Sequence, residues 1–266
     1  METTRQPTIH VRSVFLSDVH LGARECRAEL LLEFLHRVQM DELYLVGDIV
    51  DLWSLRRSFY WPQLHNNVLR TILGKTKHGT RVIYVPGNHD EELRDMAAMV
   101  FGNLEVHREC VHVTAQGQRL LVIHGDEFDG SVQCSRWLAA LGSGAYDLIL
   151  GLNRAFNRVR RLFGYPYWSL ATFIKARVGN AMRYVRLFEE AAARAALLRG
   201  LDGVICGHIH RPLHTTLHGV QYCNTGDWVE NCTALVEDRQ GKLALWQLAD
   251  WSLPARASSA AVQRAA

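Results

Sequence analysis

The sequence predicts an α/β layered fold, and two features of the chain carry that prediction. Short apolar runs recur as buried strands would, and a helical pattern separates the first two of them. Strand, helix, strand is the opening unit of such folds. With 266 residues and 48% hydrophobic content the chain can bury a large core, and we expect one domain with an insertion.

Five apolar runs are the predicted strands of the core, and they are Ser13–Leu16, Leu43–Val46, Val82–Val85, Leu120–Ile123 and Val204–Cys206. Between the first two runs, helical spacing is shown by Leu30, Leu31, Phe34, Leu35 and Val38. Shorter alternating segments around Val106–Val113, and again from Gln221 to Leu248, predict antiparallel strands. A second sheet is therefore expected.

Residues 131–199 have a different pattern from the rest of the chain. They show long helical patterns, broken at Gly142–Gly144 and Gly164–Pro166, and contain no convincing strand. We therefore predict a core over residues 12–130 and 200–250, with 131–199 as a helical insertion. The segment 254–266, rich in Ala and Ser, is predicted to be a disordered tail.

Charge and cysteine usage argue against several classes of protein. A formal net charge of +3 is too mild to predict nucleic-acid binding. The six cysteines are scattered without a C-x-x-C pair, which disfavours zinc fingers and redox motifs. The first residues lack the apolar core of a signal peptide, and no run approaches the ~20 apolar residues of a membrane span. We expect a cytoplasmic protein, with peripheral membrane contact left open.

Each predicted strand ends in a polar cluster. The clusters are Asp18-Val19-His20, Gly47-Asp48, Gly87-Asn88-His89-Asp90, His124-Gly125-Asp126 and Gly207-His208-Ile209-His210. Any one of them alone would be read as ordinary loop residues that cap helices. In α/β sheets, however, ligand sites form beyond the carboxyl ends of the strands. Five clusters in that position therefore predict one shared site.

These clusters have the chemistry of a metal centre. Residues i and i+2 of extended backbone project to the same side, so Asp18 with His20, and His208 with His210, can each grip one ion. Carboxylate, amide and imidazole ligands suit Mn²⁺, our first choice, or Fe or Zn²⁺. Seven ligands suit two divalent ions about 3.5–4 Å apart, bridged by one carboxylate. The seven are Asp18, His20, Asp48, Asn88, His124, His208 and His210, with Asp48 as the bridge.

The glycines next to the predicted ligands, and the histidines outside the clusters, also bear on this prediction. Glycines beside Asp48, Asn88, His124 and His208 allow the backbone to turn sharply at each ligand. The other histidines do not belong to such clusters. We assign them to the surface, or to core positions where the imidazole is hydrogen-bonded. They are His10, His36, His65, His78, His107, His112, His214 and His218.

The motifs D-x-H, G-D-x-x-D, G-N-H-D, H-G-D and G-H-x-H, in this order from about Val14 to Val236, resemble those of the calcineurin-like metallophosphoesterases. The resemblance implies a four-layer αββα sandwich of two mixed sheets with a two-metal site at one edge. It implies one ion held by Asp18, His20, Asp48 and His210. It implies a second ion held by Asp48, Asn88, His124 and His208.

The resemblance also implies a catalytic pair. Asn88 and His89 would contact the phosphate, and His89 would protonate the leaving oxygen after in-line attack by metal-activated water. Asp51 matches the family residue that orients this imidazole, although on spacing alone a helix N-cap is equally consistent. Protein phosphatases of the family carry an arginine directly after that aspartate. This chain has Leu52, which disfavours a phosphoprotein phosphatase.

A narrower resemblance concerns the substrate. The segment N-T-G-D-W-V-E-N-C-T-A-L at Asn224–Leu235, and a helical insertion after H-G-D, resemble the UDP-2,3-diacylglucosamine hydrolases of lipid A synthesis. Those enzymes cleave a pyrophosphate and release UMP and 2,3-diacylglucosamine 1-phosphate. Their best-known branch has arginine where this chain has His89, so the sequence resembles a sister branch.

The insertion is the expected place of substrate selection. Between Ser131 and Ala195 it holds ten Lys/Arg, three Asp/Glu and ten aromatic residues, as a lid over an anionic amphiphile would. Helical spacing places Arg154, Arg158 and Arg161 on one face, where they could bind a diphosphate or lipid headgroups. That face could equally be a solvated surface, and most of the rings could simply pack the insertion against the core.

Two other functions remain as alternatives at this level. One is a soluble phosphodiesterase or nucleotide pyrophosphatase whose lid grips a base. The other is a metal-binding scaffold without activity, which the complete set of ligand candidates and His89 disfavour. The preferred partner is a phosphate-containing small molecule or lipid-linked nucleotide, met at the cytoplasmic face of the inner membrane, and not a nucleic acid.

Overall fold

Twelve strands form two mixed sheets in a computed structural model that describes residues 8–130 and 179–247. In chain order the strands are β1 (Ile9–Leu16), β2 (Val38–Val46), β3 (Arg81–Val85), β4 (Val100–Phe101), β5 (Leu104–Val106), β6 (Cys110–Val113), β7 (Arg119–Val122), β8 (Gly203–Cys206), β9 (Leu213–Leu217), β10 (Val220–Asn224), β11 (Thr233–Glu237) and β12 (Leu243–Gln247). The first sheet has the order β12-β11-β1-β2-β3-β5-β4, and the second has the order β6-β7-β8-β10-β9.

Helices cover the outer faces of both sheets. The α-helices of the described residues are α1 (Ala28–Arg37), α2 (Leu52–Arg57), α3 (Gln63–Lys77) and α4 (Gly179–Leu198), and short 3-10 helices span Glu91–Met96 and Asp126–Gly130. Helix α1 shows the predicted amphipathic spacing, with Leu31, Phe34 and Leu35 buried and Leu30 half-buried. Its last residue is followed directly by Val38, which already has extended backbone and begins β2.

Three apolar layers hold the sandwich together. Phe34 of α1 and Val68 of α3 pack against the outer face of the first sheet. Phe15 and Ile205 lie in the layer between the two sheets. Phe188 of α4 packs on the outer face of the second sheet. The order helix, sheet, sheet, helix confirms the predicted four-layer αββα architecture.

The predicted strands are all present. The structure adds which strands pair with each other and in which direction, and neither could be read from the sequence pattern. Strands β1, β2, β3 and β5 pair in parallel, as do β7, β8 and β10. The segments between Gln221 and Leu248 divide between the sheets, because β10 joins the second while β11 pairs antiparallel with β1 in the first. Parallel pairing brings the carboxyl ends of several strands to the same edge of each sheet.

The structure describes only the last part of the predicted insertion. Residues 131–178, with Arg154, Arg158 and Arg161, and the tail 254–266 lie outside the described residues. The described part, helix α4, buries Ala192 and Ala196 together with Phe188 against the second sheet. In the described ranges no helix has the length and apolarity needed to cross a membrane, and the five cysteines found there are free thiols.

A buried ionic network links the two sheets. His112 on β6 donates from Nε2 to Glu237 Oε2 on β11 at 2.8 Å, and Arg12 donates to both carboxylate oxygens at 2.8 and 2.7 Å. Burial opposes ionisation of Glu237, but the hydrogen bonds from His112 and from the backbone of Ala115 lower its pKa to about 2. Burial also opposes protonation of His112, yet its bonds to Glu237 and Glu42 raise its pKa.

We expect Glu237→Gln to lower the free energy of unfolding by about 1–3 kcal/mol, because it removes the nearer of the two carboxylates that pair with buried His112 and leaves only Glu42 at 3.5 Å. The carboxylate contributes above its unfolded pKa of about 4.3 and loses that contribution as pH falls toward about 2. Protonated His112 contributes fully below its unfolded pKa of about 6.5 and loses that contribution as pH rises through its folded pKa. The difference between wild type and variant should therefore be largest between about pH 4.5 and 6.5.

Urea unfolding at several pH values measures this difference. Glu105→Gln is a matched control, since Glu105 pairs at 2.7 Å with Arg81, whose side chain is 49% exposed. An ion pair of that kind is worth less than about 1 kcal/mol. Equal stability losses in the two variants would refute the role given to the buried network.

Candidate metal centre

The loops that follow β1, β2, β3, β7 and β8 meet at one place and bring the predicted ligands together. Asp18, His20 and His210 form one group whose ligand atoms lie within 4.8 Å of one another. Asp48, His124 and His208 form a second group within the same limit. A third group joins His20 to Asp51 and His89. Side chains distant in sequence thus form adjoining clusters with the chemistry of metal ligands.

Asp48 belongs to the second group and also approaches the first. Its Oδ2 is 3.3 Å from His124 Nε2 and 3.9 Å from His20 Nε2. Within the first group, His210 Nε2 is 3.1 Å from Asp18 Oδ1 and 3.4 Å from His20 Nε2. A carboxylate in this intermediate position can contact ions on both sides.

Buried polar atoms without a hydrogen-bond partner indicate whether these residues fit metal ions. Asn88 Oδ1 and His124 Nε2 are buried and have no hydrogen-bond partner. Leaving such groups unpaired costs about 1–3 kcal/mol each. His124 donates from Nδ1 to the carbonyl of Val46 at 2.9 Å, so in the neutral imidazole that binds metal the lone pair is on Nε2, which lies 3.3 Å from Asp48 Oδ2. An amide oxygen and an imidazole lone pair left free beside Asp48 fit a divalent cation.

Asp51 has two roles that spacing alone could not separate. It is the N-cap of α2, where Oδ1 accepts from the backbone of Ser54 at 2.7 Å. The same oxygen is 3.0 Å from His89 Nδ1, and its Oδ2 is 3.3 Å from His20 Nδ1. Both histidines therefore turn their Nε2 atoms away from Asp51. The cap and the orienting contact coexist, because a carboxylate can accept several hydrogen bonds at once.

The ligand loops adopt a backbone conformation that non-glycine residues seldom take. Five predicted ligands have positive φ, namely Asp18 (51°), His20 (54°), Asp48 (54°), His208 (69°) and His210 (51°). Each such residue costs of order 1–3 kcal/mol, and such strain clusters at functional sites. Here it turns the side chains from the loops after β1, β2 and β8 toward one point.

At each of the four glycines beside the ligands an added Cβ would overlap a neighbouring side chain, and two of the four also have positive φ. Gly47 has φ of 79° and Gly125 has φ of 114°, so both make the predicted sharp turns. Gly87 and Gly207 have ordinary backbone angles but leave no room for a side chain. A Cβ on Gly87 would overlap Asp48 and His124, and one on Gly207 would overlap Asp18. These two positions need glycine for close approach.

The sequence-based assignment gave no role to Asp90, which anchors two ligand loops. Its side chain is fully buried and accepts from the backbone of Gly87 at 2.6 Å and of Ile49 at 2.8 Å. Tyr84 donates to it at 2.5 Å. Asp90 belongs to the G-N-H-D motif, which was the available signal, but motif membership alone does not separate a ligand from an anchor.

Asp227 is a second anchor that was missed. Its Oδ1 accepts from the backbone of Val229 at 2.8 Å, and Asn231 donates both to the Asp227 side chain and, at 3.0 Å, to the carbonyl of His210. The neighbouring Trp228 donates from its backbone to the carbonyl of Asp18 at 3.0 Å. The segment noted for its resemblance thus fixes the loops of two predicted ligands.

The centre holds charges of both signs in a small volume. Burial alone would lower the pKa of His20, but its hydrogen bond to Asp51 and the charges of Asp48 and Asp18 raise that pKa to about 9. Burial also opposes ionisation of Asp48, yet the His124 imidazole lowers the Asp48 pKa well below its ordinary value. Because metal cations bind neutral imidazole, they would compete with protons for these histidines.

Comparison with known proteins identifies relatives that align over most of the chain. The family model described as Calcineurin-like phosphoesterase matches residues 11–212. A UDP-2,3-diacylglucosamine hydrolase of Xanthomonas campestris pv. campestris is 30% identical over 255 residues, covering 89% of this chain and 99% of that protein. One of Shewanella sp. strain ANA-3 is 23% identical, covering 87% and 95%. The solved structure of Yfce, a phosphoesterase from E. coli, aligns with a TM-score of 0.43 at 15% identity, covering 89% and 98%.

Proposed function

Since this chain belongs to the calcineurin-like phosphoesterase family and is a metal-dependent phosphoesterase, we propose that its substrate is UDP-2,3-diacylglucosamine. Hydrolysis of the pyrophosphate would release UMP and 2,3-diacylglucosamine 1-phosphate. The observation that carries this proposal is the full-length similarity, at 30% identity, to a relative named for that substrate.

We propose that the two clusters hold two divalent ions. Asp18, His20, Asp48 and His210 would bind one ion, and Asp48, Asn88, His124 and His208 the other. When bound, such ions supply Lewis-acid stabilisation of phosphoryl oxygens and acidify water. Mn²⁺ is the proposed metal, with Fe or Zn²⁺ as alternatives, because the ligand set contains oxygen and nitrogen and lacks thiolate.

His89 is the proposed general acid. Asp51 holds its Nδ1 at 3.0 Å, so Nε2 is the ring nitrogen that would protonate the leaving oxygen. The indole ring of Trp53 lies against the imidazole, with ring centroids 4.4 Å apart, and limits its rotation. The backbone N–H of His89 donates to Asp48 Oδ1 at 2.8 Å. A substitution of Asp48, the proposed bridge, would therefore also alter the position of His89.

The insertion 131–199 is proposed to act as the lid that selects the lipid substrate. Its ten Lys/Arg against three Asp/Glu between Ser131 and Ala195 suit a diphosphate and anionic lipid headgroups. We propose that Arg154, Arg158 and Arg161 contact the diphosphate and that the aromatic residues cover acyl chains. The protein would then act in the cytoplasm, peripherally on the cytoplasmic face of the inner membrane.

A panel of substrates tests the proposal with the Mn²⁺-loaded protein. It compares UDP-2,3-diacylglucosamine with acyl-free UDP-N-acetylglucosamine, a diadenosine polyphosphate, bis(p-nitrophenyl) phosphate and a phosphopeptide. We expect UMP from the diacylated substrate with a kcat/KM more than about a hundredfold above that of the acyl-free one. Burial of four methylene groups, at about 0.8 kcal/mol each, would supply that factor.

Other outcomes would redirect or remove the proposal. Equal cleavage of the acyl-free nucleotide would refute the lipid lid. Hydrolysis of the simple diester or the diadenosine compound alone would support the alternative of a soluble phosphodiesterase or nucleotide pyrophosphatase. The same protein after complete chelation of metal is the matched control.

A further inference from the structure

A carboxylate outside the seven predicted ligands holds His208. The Nε2 atom of His208 is 3.0 Å from Asp129 Oδ2. The other oxygen of Asp129 accepts a hydrogen bond from the hydroxyl of Tyr184 at 2.5 Å. Asp129 lies in the 3-10 helix that follows His124, and Tyr184 lies on α4. The contact therefore joins the outer helix to the metal centre.

The other histidines of the centre explain why this contact matters. Two of them have a partner outside the ligand set on Nδ1, since His20 contacts Asp51 at 3.3 Å and His124 contacts the Val46 carbonyl at 2.9 Å. Their Nε2 atoms face other predicted ligands, His20 toward His210 at 3.4 Å and His124 toward Asp48 at 3.3 Å. In His208 the pattern is reversed, because Nε2 is the partnered atom. An imidazole whose Nε2–H is bound to a carboxylate carries its lone pair on Nδ1.

The ring of His208 is also held from the side. Phe188, which is fully buried, lies with its ring centroid 5.9 Å from that of His208 and tilted by 31°. Phe128, directly before Asp129 in sequence, packs edge-on against Phe188 at 5.7 Å. The apolar contact limits the tilt of the imidazole, and the carboxylate limits its rotation about the ring axis.

The contact between Asp129 and His208 contributes little to the stability of the fold. The Asp129 side chain is 46% exposed, whereas that of His208 is only 13% exposed. An ion pair with one partner so exposed contributes about 0–1 kcal/mol to folding. Orientation of the buried partner is the larger effect that such a contact can have.

We propose that Asp129 is a positioning residue of the metal centre. It fixes Nε2 of His208 as the protonated nitrogen and presents Nδ1 to the second ion, while Tyr184 holds the carboxylate in place. This role rests on the proposed two-metal function. It assigns Asp129 no contact with substrate.

Titration of Mn²⁺ into the metal-free full chain, followed by calorimetry, tests this role. Asp129→Ala should weaken one of two binding steps by about 10- to 100-fold and leave the other unchanged, as expected when a carboxylate behind a histidine ligand is lost. Asp129→Asn retains an acceptor without the charge and should fall between alanine and wild type. Tyr184→Phe should have a smaller effect, and Glu190→Gln, an exposed change on the same helix, should have none.

A double variant separates positioning from a structural role. If Asp129 acts through His208, then adding Asp129→Ala to His208→Ala should not weaken Mn²⁺ binding further. An additional loss in that background, or two unchanged binding steps in Asp129→Ala, would overturn the proposal. A wild-type chain that binds no Mn²⁺ would instead refute the proposed function, so the two failures are distinct.

Discussion

Asp48→Asn is expected to abolish the binding of both ions and to lower kcat by at least about a thousandfold. Asparagine keeps the size of the side chain and can still accept from the backbone of His89, which now donates to Asp48 Oδ1 at 2.8 Å. It loses the charge that faces His124 and His20 at 3.3 and 3.9 Å. A two-metal site supplies several kcal/mol of transition-state stabilisation, and each 1.36 kcal/mol is a factor of ten in rate.

Metal content after dialysis against Mn²⁺, measured with kcat on the same samples, checks this expectation. Asp41→Asn is the matched control, because Asp41 is 56% exposed and pairs only with Arg239, at 3.2 Å, among the ion pairs of the described residues. Circular dichroism of the metal-free proteins verifies that both variants fold. Full metal content and full activity in Asp48→Asn would show that Asp48 is not the bridge.

The second large effect is expected for His89→Ala, which should lower kcat by about 10²- to 10⁴-fold while both ions stay bound. The imidazole is oriented by Asp51 and packed against Trp53, but it belongs to neither of the two clusters proposed to bind metal. Its loss removes the proton donor for the leaving oxygen. The metal centre should stay intact.

Dependence on the leaving group makes this prediction specific. p-Nitrophenolate leaves readily without a proton, so bis(p-nitrophenyl) phosphate should lose much less rate in His89→Ala than an ester of a poorly acidic alcohol. His107→Ala is a control, since His107 pairs at 3.0 Å with Glu105 away from the centre. An equal loss for both leaving groups, or loss of metal, would argue against a general acid.

Much of the fold followed from local pattern. The runs Leu43–Val46 and Val82–Val85 were predictable because both faces of these strands are buried, which makes the sequence continuously apolar. The first part of β1 was missed because Arg12 and His10 interrupt its apolar pattern. Pairing of β11 with β1 could not be predicted, since the register between strands far apart in sequence depends on tertiary contacts.

The candidate site was predictable to a similar degree. The ligand candidates could be recognised because a polar cluster follows each predicted strand. In contrast, Asp90, Asp129 and Asp227 act through contacts with backbone or side chains that are distant in sequence. Each is a single aspartate outside the strands, and the sequence contains many of those. For Asp51 the sequence offered a choice between cap and partner of His89, and the structure contains both contacts.

The most direct test of the two-metal centre is an anomalous difference map, recorded at the manganese edge, from crystals of the Mn²⁺-loaded protein. Two peaks are expected about 3.5–4 Å apart with Asp48 between them. One should lie beside Asp18, His20 and His210, and the other beside Asn88, His124 and His208. A single peak, or peaks away from these residues, would contradict the account.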